Sequence, residues 1–248
     1  MITANGCVVT LKDSAGNGTV SAANSIGIAT NGGTIKIENG TYVTTGSQYS
    51  FWAGGQNQTG HIEITDGTFN AAEGVVGAGK DSTVIINGGT FTAGDNAVLA
   101  SNGSAGYEGS QITVNDGTFE GHIRSAGYTG CGIYAPNDGV VTVNGGTFTV
   151  DGVGIAARAG KVFINGGQFI STVDTEGWVG DRKTKLSANG IYYDGQATYP
   201  GLQEGAELKI TGGTFTNTAD GTIPGAKITQ SATGAQITVD TGDWTVAE

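Results

Sequence analysis

Cysteine, proline, histidine and positive charge are all scarce in this chain of 248 residues. Two cysteines, Cys7 and Cys131, and two histidines, His61 and His122, are too few for a zinc cluster or a thiol–imidazole catalytic pair. Eleven Lys and Arg against twenty-two Asp and Glu leave a formal charge of −11. That balance argues against a nucleic-acid partner, because phosphate binding needs clustered cations. No apolar run approaches the ~20 residues that cross a bilayer, so no membrane span is expected. No charged and apolar leader is read at the start, where "MITANGCVVTLKD" already patterns as strand and turn.

Glycine is the opposite case, with forty-six residues against three prolines. There is no Gly-X-Y period, which excludes collagen. Charge at 13% is too low for an ordinary disordered tract. Thr, Val, Ile and Phe lie between glycine-rich turns, the composition of many short strands.

A repeat organises these residues. Eight copies run "IKIENGTY" from Ile35, "IEITDGTF" from Ile62, "VIINGGTF" from Val84, "ITVNDGTF" from Ile112, "VTVNGGTF" from Val141, "VFINGGQF" from Val162, "LKITGGTF" from Leu208 and "ITVDTGDW" from Ile237. Their aromatics are Tyr42, Phe69, Phe91, Phe119, Phe148, Phe169, Phe215 and Trp244. The intervals are 21 to 29 residues, except for 46 between Phe169 and Phe215. Each copy opens on an apolar, variable, apolar strand. A turn follows, with Gly40, Gly67, Gly89, Gly117, Gly146, Gly167, Gly213 and Gly242 in one slot, as expected where the backbone needs positive φ. A second short strand then places the aromatic inward and its flanking threonines outward. A third strand is read in "SIGIAT", "GCGIYA", "GVGIAA" and "NGIYYD", with Ile26, Cys131 and Val153 aligned in one inward slot.

Three strands and three turns make one coil, which buries its apolar face only by stacking on its neighbours. This repeat resembles that of right-handed, single-stranded parallel β-helices of the pectate-lyase-like superfamily. The resemblance implies an all-β solenoid of about eight to nine coils. Residues 1–248 are read as one domain, with 1–24 as a degenerate first coil or edge and 170–207 as a coil carrying long excursions. Stacking implies an internal aromatic column, and an amide ladder of Asn87, Asn115, Asn144 and Asn165. Cys7 and Cys131 would stand ~20 Å apart, beyond disulfide reach. The ends are expected to be covered by flanking domains or oligomer partners.

The motifs are mostly turns. "GVVGAGKD" from Gly74 has Asp81 where a phosphate loop needs a hydroxyl, and a strand pattern follows in place of a helix. Four glycosylation sequons, at Asn17, Asn39, Asn57 and Asn102, are by-products of Asn-Gly-Thr turn chemistry. The outward threonine column is interrupted by Gln168 and Asp243, which disfavours an ice-binding lattice. Function is sought where the pattern breaks, between Phe169 and Phe215. There Trp178, Tyr192, Tyr193 and Tyr199 offer rings for stacking on sugars, and Asp174, Asp181, Arg182 and Lys183 offer polar contacts. A smaller aromatic loop from Ser47 adds Tyr49 and Trp52. No catalytic or metal-ligating residue is assigned, and no cofactor is expected.

The resemblance admits a lyase, with a base among Arg124, Arg158, Arg182, Lys183 and Lys185 and with Ca²⁺ held by carboxylates. It also admits a hydrolase with paired carboxylates, for which Asp66 and Asp116 share a turn slot. A trimeric phage fibre or tailspike segment is a further alternative. The "INGGTFT" style of repeat is similar to stretches in large bacterial surface proteins. The expectation is therefore a non-catalytic, adhesin-like display module, extracellular or at the cell surface, with a glycan or other cell-surface ligand as its partner.

Overall fold

The computed structural model describes residues 1–123, 130–157, 160–172, 177–179, 182–186, 191–193, 207–217, 225–227, 236–239 and 245–247. Among them there is no helix, and the strands gather into three long parallel sheets of eight, nine and eight strands, here sheets A, B and C. Each of the first eight coils contributes one strand to each sheet, and Gln236–Val239 adds a ninth strand to sheet B. The first coil does so with Ile2–Asn5, Val8–Leu11 and Thr19–Ala22, each in parallel register with the next coil. The protein is an all-β parallel solenoid.

The repeat builds this architecture because each slot has one environment. In sheet B, Ile35, Ile62, Val84, Ile112, Val141, Val162 and Leu208 stand in one column and are at most 3% exposed. In sheet C the aromatics stack in register. The five Phe–Phe steps from Phe69 to Phe215 have centroids 4.4–4.9 Å apart with nearly parallel rings, and Tyr42 caps the stack 5.1 Å from Phe69. Tyr42 keeps its hydroxyl satisfied by donating to the Asn39 carbonyl at 2.9 Å. Ahead of it, Val20 fills the same slot and is 43% exposed, as the first member of the column. Trp244 and Gly242 lie outside the described residues.

The turn before each aromatic behaves as its chemistry requires. All seven described glycines of the slot, from Gly40 to Gly213, have φ between 94° and 140°. A side chain there would be strained and would also meet the ring that follows or the turn of the preceding coil. On the outside of the same turn the amides form a ladder. Asn115 donates to Asn87, Asn144 to Asn115 and Asn165 to Asn144, each at 2.8 Å, and Thr211 extends the row at 3.1 Å.

Sheet A departs from the sequence reading in register. Gly27 pairs with Phe51, and that column continues through Val76, Leu99, Ile133 and Ile155. "SIGIAT" is thus shifted by one residue relative to "GCGIYA" and "GVGIAA", so Ile26 does not share a slot with Cys131 and Val153. The cause is steric: a Cβ on Gly27 would stand 2.9 Å from the Phe51 ring and 3.0 Å from Ile35, so the large ring of one coil occupies the space left by the glycine of the one before. Cys131 is buried, but in a second, smaller apolar cluster with Ala97, Ala100, Val153 and Ala156. One polar group is out of place in the main core. Ser101 follows Ala4, Ala29, Ala53 and Ala78 in an otherwise alanine column, and its hydroxyl is buried without a hydrogen-bond partner.

The 46-residue interval is a single coil. Gln168–Ser171 pairs directly with Thr214–Asn217, Lys161–Ile164 with Glu207–Ile210, and Ile155–Ala157 with Ile191–Tyr193. One excursion leaves between sheets C and A, and a second between sheets A and B. The first contains an antiparallel pair, Gly177–Val179 with Arg182–Leu186.

Candidate functional site

The sequence-derived site residues fall into three groups. Asp174, Asp181 and Tyr199 lie outside the described residues. Trp178, Arg182 and Lys183 belong to the two strands of the antiparallel pair. Tyr192 and Tyr193 belong to the sheet A strand Ile191–Tyr193, in register with Ala156 and Ala157 respectively. Tyr193 thus stands in the column of the buried Ala157, whereas Tyr192 continues a different column. Of the lyase base candidates, Arg124 and Arg158 are also outside the described residues.

Trp52 is on a strand, not on a loop. Phe51–Ala53 is part of sheet A, with Phe51 fully buried and Trp52 partly exposed on the outer face. Alternation along the strand produces that split, since neighbouring side chains take opposite faces. The column through Trp52 runs Ile28, Trp52, Gly77, Ala100, Tyr134, Ala156 and then Tyr192. The structure therefore brings Trp52 and Tyr192, far apart in sequence, to register positions on one line, and adds Tyr134. Sequence reasoning missed Tyr134, although its parity in "GCGIYA" relative to Ile133 was a usable signal.

The members between the rings are small for a reason. The three atoms nearest a Cβ built on Gly77 all belong to the Trp52 indole, so the ring lies over that glycine. Beside it, Tyr49 lies over Gly74 and meets Trp52 edge-on, with centroids 5.4 Å apart and planes at 74°. Tyr49 and Tyr134 pack against the second cluster, whose members Ala97, Ala100, Cys131, Val153 and Ala156 are at most 2% exposed. Burial raises the Tyr49 phenol above the usual tyrosine range, and its seat over Gly74 and edge-on contact make it a support for the Trp52 indole. At the ~4.8 Å strand spacing, Trp52 and Tyr134 stand three coils or ~14 Å apart along the axis.

Two of the acidic residues serve as turn formers. Asp66 and Asp116 occupy one turn slot, and each carboxylate accepts the N–H of the glycine that follows, at 2.7 and 2.8 Å. Two coils separate them, ~10 Å, at the outer limit for a hydrolytic carboxylate pair. Asp116 also borders a shallow depression of about 400 Å³ with Thr147, Gln168, Thr214 and turn glycines, which presents no ring. Among the described residues no group of three or more His, Cys, Asp or Glu is gathered at metal-binding range. "GVVGAGKD" spans the sheet A strand Val76–Ala78 and the turn into Thr83–Ile86, so no helix N-terminus faces it. Comparison with protein-family models, curated proteins and solved structures returned no match.

Proposed function

We propose that this chain is a non-catalytic β-helix display module of the pectate-lyase-like kind, adhesin-like and extracellular or at the cell surface, and that the outer face of sheet A binds glycan. The observation that carries this reading is the partly exposed pair Trp52 and Tyr134, held in one outward column with only Gly77 and Ala100 between them. Aromatic rings anchored on a rigid sheet contribute apolar contact at little entropic cost, and tyrosine adds a polar tip. Sugar rings present apolar C–H faces to such surfaces and hydroxyls to their edges. The non-catalytic reading is supported by the use of Asp66 and Asp116 as turn formers.

A glycan array probed with wild type, Trp52→Ala and Tyr134→Ala tests it. The expected result is a glycan signal with wild type that both variants lose while keeping the wild-type far-UV spectrum. A blank array with wild type, or variants that bind as wild type does, would overturn the proposal.

A further inference from the structure

The ligand class can be narrowed by charge and direction, in an argument that rests on the glycan reading above. The two outward columns of sheet A hold Ser25, Tyr49, Ile28, Trp52 and Tyr134 among glycine, alanine, Cys131 and Val153. No charged side chain stands in either from Ser25 to Ala156. The five described lysine side chains, Lys12, Lys36, Lys80, Lys161 and Lys209, all lie on sheet B or in turns beside it. Three of them are already paired: Lys12 with Glu38 at 2.8 Å, Lys36 with Glu63 at 2.9 Å, and Lys80 with Asp81 and Glu108 at 3.5 and 3.6 Å. A polyuronate or sulfated chain laid on this face would meet no described cation and the field of a chain of net charge −11.

Direction follows from the stacking. The register positions of Trp52 and Tyr134 are displaced along the solenoid axis, not across it; the indole covers Gly77, and Ala100 is the open floor before Tyr134. A ligand touching both must run along the axis for three coil steps, ~14 Å.

We infer that the outer face of sheet A takes a neutral, extended polysaccharide lying parallel to the solenoid axis across Trp52 and Tyr134. Affinity electrophoresis of the whole chain tests this, in gels containing glucomannan or xylan in one set and polygalacturonate or alginate in the other. Wild type, Trp52→Ala and Trp52→Phe are run in each. The expected result is retardation by a neutral gel, weakened roughly tenfold or more in Trp52→Ala and partly kept in Trp52→Phe. A series of neutral oligosaccharides should compete only once they are long enough to bridge the three coils. Trp52-dependent retardation that is equal or stronger in the anionic gels would overturn the neutral assignment and leave the glycan reading standing. Competition by a single sugar as strong as by the longer chains would overturn the axial placement. Absence of Trp52-dependent retardation from every gel would overturn both.

Discussion

Replacing Gly77 by Ala is a sharp probe of the outer face of sheet A, because two effects of opposite sign meet there. Gly77 is in a strand, and no positive φ protects it from substitution. On backbone grounds alone, Ala in place of Gly should stabilise a strand by ~0.5–1 kcal/mol. The new methyl, however, would sit inside the Trp52 ring, so the indole must lift from the sheet. Forcing one extra methyl into a packed site costs ~1–3 kcal/mol. The net expectation for Gly77→Ala is a loss of about 1–2 kcal/mol, or roughly 2–8 °C in Tm for a chain of this size. In the Trp52→Ala background the obstruction is gone, and Gly77→Ala should become neutral or stabilising. The cycle of four proteins should therefore show a coupling of about 2 kcal/mol, within the range for residues in contact. Thermal unfolding followed by far-UV circular dichroism gives the four midpoints, and indole near-UV signal reports the ring leaving its seat. Equal effects of Gly77→Ala with and without Trp52 would refute the placement of the ring over Gly77, and with it the geometry of the proposed binding face.

Three further outcomes are expected. Ser101→Ala should raise stability by about 1 kcal/mol, because a buried hydroxyl without a partner is removed from an alanine column; a lower denaturation midpoint would contradict this. Phe119→Ala should cost about 3–5 kcal/mol, since the ring is fully buried between Phe91 and Phe148, whereas Tyr42→Phe should cost only about 1 kcal/mol for its single hydroxyl contact; equal losses in urea denaturation would argue against the column. Asp13 accepts the N–H groups of Gly18, Gly16 and Ala15 at 2.6, 2.9 and 3.0 Å, and the Gly18 bond above all holds its carboxyl below the usual aspartate range. The ionised form is thus favoured in the folded loop, so its contribution is present above the ordinary aspartate pKa of ~3.9 and is lost as pH falls through the lower folded value. The Gly18 amide shift should titrate with a midpoint below that value and stay flat in Asp13→Asn, and a midpoint at or above it would contradict the reading.

What the sequence made legible is what repeats within one coil. The Ile-x-Ile strand, the positive-φ glycine, the amide ladder and the aromatic lie at fixed offsets of a few residues, so one alignment exposes them all. Sheet A was harder because its strand follows the aromatic at variable distance. The slip at "SIGIAT" arises from compensation between coils: Gly27 makes room for Phe51, twenty-four residues later, and a one-residue slip turns a strand's inward set outward. The aromatic column was hidden for the same reason. Trp52 looked like part of a loop, and Tyr134 like one more residue of "GCGIYA", until the register placed them on one line. The interval between Phe169 and Phe215 stands out in the sequence because one coil there carries two long excursions. Within that interval Tyr192 is in register with Tyr134 through Ala156.

We propose that the uniform coils are scaffold for a ligand along the outer face of sheet A. Hydroxyl-radical footprinting with and without a soluble neutral polysaccharide such as glucomannan tests it most directly, with oxidation read at single residues. Trp52 and Tyr134 should lose reactivity together on loading, while Phe163 on the outside of sheet B keeps its own. Protection at Phe163 with Trp52 and Tyr134 unchanged would contradict it.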